Sequence, residues 1–106
     1  MYEKMNKLVR DNIPEIIKQT GDKPDFVILD SPDYYNELKK KLTEEVSEFN
    51  DSDEIMELCD VVEVISAILN YKNIVDEEFE KMRSAKNKAN GKFEKRIFLN
   101  GVDRMK

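Results

Sequence analysis

The residues best equipped to do chemistry in this chain are carboxylates. The run Thr43-Glu44-Glu45-Val46-Ser47-Glu48-Phe49 is followed by Glu57-Leu58-Cys59-Asp60. On a helix each residue advances by ~100°. Glu45 then falls in the middle of the stripe made by Leu38, Leu42 and Phe49, and Glu48 lies next to it on the side of Glu44. Glu57 extends the stripe of Val61, Val64 and Ile68, with Asp60 at its edge. Two helices thus each put a glutamate where a core residue belongs. A lone carboxylate is costly to bury, so it must be protonated or paired with a cation. Between Thr43 and Glu63 there are nine acidic residues and no basic one. A divalent metal held by carboxylates, with open positions left for substrate phosphates, is the simplest answer. An acidic run is more often a solvated helix face. That reading suits Asp51, Asp53, Glu54 and Glu63, although Glu63 sits one turn after Asp60, within reach of such a metal. It suits Glu45 and Glu57 poorly, because their angular positions are wrong for solvent.

The composition narrows the chemistry further. The chain has no histidine, which removes histidine bases, His-based triads and ordinary His-ligated zinc. An oxygen-only donor set favours Mg²⁺ or Mn²⁺. The one cysteine, Cys59, allows no intrachain disulfide and is expected to be a small buried residue. A net charge of -5 argues against general nucleic-acid binding. No stretch approaches the ~18 apolar residues of a membrane span. Met1 to Arg10 mixes charged and apolar residues without a signal-peptide core. The expectation is a soluble, cytoplasmic protein with no membrane partner.

Elements must then position these groups. A length of 106 residues suits a single domain over positions 1–106. Three glycines and three prolines favour long helices over many short strands. A first helix is expected from about Asp11 to Gln19, with Pro14 in its first turn and Gly21 ending it. Phe26 to Leu29 reads as extended or loop. A second helix opens at Ser31-Pro32-Asp33 and runs to about Phe49, where Asn50 to Asp53 break it. A third runs from about Asp53 to Tyr71. Its two apolar stripes, Leu58-Val62-Ile65-Leu69 and Val61-Val64-Ile68, mark it as the central, most buried helix. A fourth is capped by Asp76 and runs to about Ala89, with Phe79, Met82, Ala85 and Ala89 inward. The tail from Lys92 to Leu99 is expected to pack back through Phe93, Ile97 and Phe98. The fold class is therefore all-α, an antiparallel bundle of about four helices. The short turn after Phe49 makes the second and third antiparallel neighbours. It brings Glu45 and Glu48 near Glu57 and Asp60. Four short helices expose more apolar surface than one chain readily covers, so a homodimer or homotetramer is expected.

The fourth helix and the tail carry the opposite charge: Lys81, Arg83, Lys86, Lys88, Lys92, Lys95 and Arg96. An acidic metal site and a basic tail in one small protein suit a polyphosphate ligand. For any single lysine, a basic surface balancing an acidic one is the simpler account.

The pattern Glu-Glu-x-x-Glu followed by Glu-x-x-Asp resembles that of the MazG-type all-α NTP pyrophosphatases. That superfamily also includes phosphoribosyl-ATP pyrophosphohydrolases and dimeric dUTPases. Asn90-Gly91-Lys92-Phe93-Glu94-Lys95-Arg96 resembles the Lys-Phe-x-x-Arg segment of MazG proteins. Lys7-Leu8-Val9-Arg10-Asp11-Asn12-Ile13-Pro14-Glu15-Ile16-Ile17 is similar to the opening of a shorter, phosphoribosyl-ATP pyrophosphohydrolase-like subgroup. The resemblance covers most of the chain. One departure is that only Phe49 to Met56 separate the halves of the acidic motif, a shorter gap than MazG proteins commonly show. The resemblance implies that Glu45, Glu48, Glu57 and Asp60 ligate Mg²⁺. It also implies that Glu44 and Glu45 serve catalysis, Glu44 either supporting the ligands from behind or poising the water, and that Lys92 and Arg96 hold the phosphate chain. Lys7 and Arg10 match the subgroup's opening and are candidate substrate contacts. The implied activity is hydrolysis of a nucleoside triphosphate to the monophosphate and pyrophosphate, extending to house-cleaning of non-standard nucleotides. The alternatives are phosphoribosyl-ATP pyrophosphohydrolase of histidine biosynthesis, or a non-catalytic acidic helical module that binds a protein partner.

Overall fold

Each helix ends where a residue can take up left-handed or glycine-like backbone, and these stops set the architecture. The computed structural model describes residues 1–105. Among them are four α-helices and no strand: α1 (Ile13–Gln19), α2 (Ser31–Ser52), α3 (Ile55–Tyr71) and α4 (Asp76–Asn90). The all-α expectation holds. The chain divides into two compact units, Met1–Asn73 and the segment from Ile74 onward.

In the first unit, α1 begins at Ile13, two residues later than expected, with Pro14 in its first turn. Gly21 closes it at φ +89°. The Gly21 N–H donates to the Lys18 carbonyl at 3.0 Å and the Asp22 N–H to the Ile17 carbonyl at 3.3 Å. This crossed pair satisfies carbonyls that a helix end leaves free. Phe26, Val27 and Ile28 form no regular element and are exposed.

The cap of α2 is Asp30 rather than Ser31; its side chain accepts from the Asp33 N–H at 3.1 Å. The helix also runs past the expected break. Asn50, Asp51 and Ser52 stay helical, because such residues are weak helix formers and not helix stops. Termination comes at Asp53, which adopts the left-handed conformation (φ +59°) while its N–H donates to the Phe49 carbonyl at 2.8 Å. Only Asp53 and Glu54 separate α2 from α3, and a connection that short forces the two helices to run antiparallel.

The α2–α3 pair holds the core. Leu38 is 2% exposed and Val64 8%, and they are the buried hydrophobic residues. Half-buried Leu42, Phe49, Val61, Ile65 and Ile68 surround them. Of the two apolar stripes on α3, the one continuing from Glu57 faces α2. The other is turned outward at its start, with Leu58 and Val62 exposed. α3 is therefore half-buried, not the enclosed central helix its composition suggests. Cys59 is likewise exposed, contrary to expectation, because it lies on the side of α3 away from α2. At the end of the pair remote from the turn, Tyr35 stacks on Tyr71 (centroids 4.7 Å apart, planes 8° from parallel). Tyr34 meets Tyr71 at 6.0 Å, and Ser31 Oγ donates to the Tyr71 hydroxyl at 3.1 Å. Lys39 and Lys72 each set an ammonium over the Tyr35 ring.

In the second unit, Val75 rather than Asp76 occupies the cap position of α4. Asp76, Glu77 and Glu78 fill the first turn, where negative charge complements the helix dipole. Gly91 stops the helix at φ +84°, its N–H donating to the Asn87 carbonyl at 2.7 Å. Phe79 is half-buried, but Met82, Ala85 and Ala89 are exposed. Phe93, Ile97 and Phe98 do not pack back: they are 96%, 80% and 86% exposed. Helical spacing gives α4 an apolar stripe, but spacing by itself does not supply a surface to cover it.

Candidate metal centre

The turn at Asp53–Glu54 folds the last part of α2 onto the first part of α3, and this registers the carboxylates. One oxygen from each of Glu45, Glu57 and Asp60 lies within 4.8 Å of the other two. Glu45 is buried to 8% exposure, as its place in the Leu38–Phe49 stripe requires. Glu57 and Asp60 are half-buried. Glu57 shows the strain of the arrangement. Its pKa is raised, first by lost hydration and then by the charges of Glu48, Asp60, Glu45 and Glu54. Glu48 is exposed and stands outside the group of three, yet close enough for its charge to act on Glu57. Glu44 is half-buried at the edge of the cluster.

Two cations attend these groups. Lys41 Nζ stands 3.3 Å from Glu45 Oε1 and 3.5 Å from Glu44 Oε1. Arg10 Nη2 donates to Asp60 Oδ1 at 2.6 Å. Both lie outside Thr43–Glu63, where the sequence holds no basic residue, and the fold brings them onto the cluster. Lys41 lies just upstream of the acidic run, and one helical turn carries it back to Glu45. The signal was legible as a lysine four residues before the buried glutamate. The Arg10 contact spans fifty positions of sequence, and no local pattern announces it. Lys7 is exposed and makes no ion pair among the described residues.

The donor set fits a hard divalent cation. It is all oxygen and comes from adjacent turns of two helices. Five carboxylates (Glu44, Glu45, Glu48, Glu57 and Asp60) face two side-chain cations, which leaves negative charge for a metal to offset.

Lys92 and Arg96 belong to the second unit. Lys92 Nζ is 4.0 Å from Glu94 Oε1, both exposed. Arg96 has left-handed backbone (φ +57°) and its N–H donates to the Phe93 carbonyl at 3.2 Å. With Asn87, Asn90, Phe93 and Lys95 these residues bound an open hollow of about 410 Å³.

Comparison with protein-family models, curated proteins and solved structures finds no match to this chain. No helix among the described residues is long and apolar enough to cross a membrane.

Proposed function

We propose that this chain is a Mg²⁺-dependent nucleoside triphosphate pyrophosphohydrolase of the MazG-like kind, with Mn²⁺ as an alternative metal, acting in the cytoplasm. The observation that carries this reading is the convergence of Glu45, Glu57 and Asp60, with Glu45 buried at a core position. Structural carboxylates are rarely placed where they repel one another out of water; functional ones are. Glu45, Glu57 and Asp60 would hold the metal, with Glu48 completing the set on the solvent side. Bound there, a divalent cation supplies Lewis-acid stabilisation of charge on the phosphates. Glu44 lies beside the ligands and orients the attacking water, together with Glu45. Lys41 stands 3.3 Å from Glu45 and 3.5 Å from Glu44. The resemblance assigns Lys92 and Arg96 to the phosphate chain. The reaction breaks one phosphoanhydride bond with water and yields a nucleoside monophosphate and pyrophosphate.

A homodimer or homotetramer belongs to the same reading. Ile55, Met56 and Val62 on α3 are 71%, 73% and 62% exposed, and apolar side chains so displayed along one helix favour a partner surface. A second reading, a structural acidic face, draws on the Arg10 and Lys41 ion pairs, which partly satisfy the cluster without metal. One assay separates the two. Pyrophosphate release is measured on a panel of NTPs, dNTPs and phosphoribosyl-ATP, with Mg²⁺ or with EDTA, for wild type and Glu57→Gln. The proposal expects Mg²⁺-dependent release that the variant loses. Release from phosphoribosyl-ATP alone would reassign the substrate. No release from any of them by folded protein would favour the structural reading.

A further inference from the structure

The two cations at the acidic cluster are not equivalent. Lys41 sits along α2 with its side chain 17% exposed, fixed one turn from Glu45. Arg10 comes from the segment ahead of α1, which has no regular structure, and its side chain is 56% exposed. Its guanidinium donates to Asp60, and the charges of Glu63 and Glu45 also act on it. It is thus paired with one of the carboxylates that a metal here would need. A guanidinium and a divalent cation repel each other, so they compete for that carboxylate. The same planar fork that grips a carboxylate grips a phosphate equally well.

We propose that Arg10 is an exchange residue: it neutralises Asp60 in the metal-free protein, yields that carboxylate to an entering divalent cation, and then takes the phosphate oxygens that the cation brings. This rests on the metal-site reading above. It deepens that reading by assigning one side chain to both states. Arg10 thus serves as a built-in competitor for free metal and as a ligand for metal-bound polyphosphate, so metal and anion bind cooperatively.

The test uses the full chain as wild type, Arg10→Gln and Arg10→Lys. Mn²⁺ binding is read from the electron paramagnetic resonance of the free ion. Inorganic pyrophosphate binding to the Mn²⁺-loaded protein is read by calorimetry. Arg10→Gln is expected to bind Mn²⁺ about three- to fivefold more tightly, the scale of one exposed ion pair. It is expected to hold pyrophosphate about tenfold more weakly, the scale of a charge-assisted contact. Arg10→Lys keeps the charge but not the fork, so it retains wild-type Mn²⁺ affinity while losing part of the pyrophosphate affinity. Mn²⁺ affinity that falls or stays the same in Arg10→Gln would overturn the exchange and make Arg10 a mere orienter of Asp60. Unchanged pyrophosphate affinity would overturn it too. If none of the three proteins binds Mn²⁺ while circular dichroism shows all three folded, the metal reading falls along with the exchange, a pattern distinct from failure of the exchange alone.

Discussion

The two ends of the α2–α3 pair are built on opposite principles. At the end remote from the turn, Tyr34, Tyr35 and Tyr71 stack, Ser31 bonds to Tyr71, and Lys39 and Lys72 lie over an aromatic face. Every group there meets a complementary one. Near the turn, Glu45, Glu57 and Asp60 face one another, and Glu57 is held above the usual carboxylate range by lost hydration and its neighbours' charges. The first end closes the hairpin by itself. The second gathers like charges, which Lys41 and Arg10 offset in part. The comparison separates what a helical pair needs for folding from what it tolerates for a ligand, since like charges brought together weaken a fold unless something binds them.

The contrast can be broken hardest in the core between the two ends. Leu38 is the most buried side chain, so Leu38→Ala should cost about 2–5 kcal/mol in urea unfolding, through lost transfer and a cavity. A loss under about 1 kcal/mol would mean that the pair is not the core.

At the acidic end, Glu57→Gln should act in opposite directions on activity and on stability. Mg²⁺-dependent pyrophosphate release should fall by about a hundredfold or more, since removing even a residue that only supports a ligand costs 10–100-fold. The metal-free variant should nevertheless melt higher than metal-free wild type, because a repelled carboxylate is gone. A lower melting point in the variant would show that Glu57 is structurally satisfied as it stands.

Millimolar Mg²⁺ should raise the melting temperature of wild type and leave Glu57→Gln nearly unmoved, because a ligand that binds only the folded state stabilises it by mass action. Equal shifts in both proteins would place the metal elsewhere.

The pH dependence sharpens the same point. A carboxylate whose folded pKa is raised binds its proton more tightly in the folded state. Its stabilising contribution is therefore full below the unfolded value of ~4.3 and is lost as pH rises through the folded value. The melting temperature of Glu57→Gln minus that of wild type, both without metal, should accordingly grow as pH rises above ~4.5 and then level off. A difference independent of pH would contradict the repulsion at Glu57.

The smallest effect belongs to the aromatic end. A double-mutant cycle with Tyr35→Leu and Tyr71→Leu should give a coupling of about 0.5–1.5 kcal/mol for the stacked pair. No coupling would mean that the stack contributes area alone.

Much of this was legible along the chain. The spacing of Leu38, Leu42 and Phe49 placed Glu45 inside before any coordinates did, and the burial of Glu45 agrees. Gly21 marked a helix end, and it adopts the positive φ that only glycine takes easily. The stop of α2 was misplaced because Asn50, Asp51 and Ser52 are only weakly averse to helix, while one left-handed residue, Asp53, does the terminating. The burial of α3 was overstated because an apolar stripe records what a helix can bury and not what is present to cover it. Leu58, Val62 and Cys59 on α3, and Phe93 and Phe98 in the tail, are exposed for that reason.

By itself, then, the sequence determined the helices and which side of each carries carboxylates, because periodicity and stop signals are local and survive without neighbours. Only the tertiary structure decided which carboxylates meet and what neutralises them. That depends on a two-residue turn that sets the register of α2 on α3, and on Arg10 reaching Asp60 across fifty positions of chain. Contacts between distant segments are fixed by packing and loop closure, and neither leaves a periodic trace in the residues themselves.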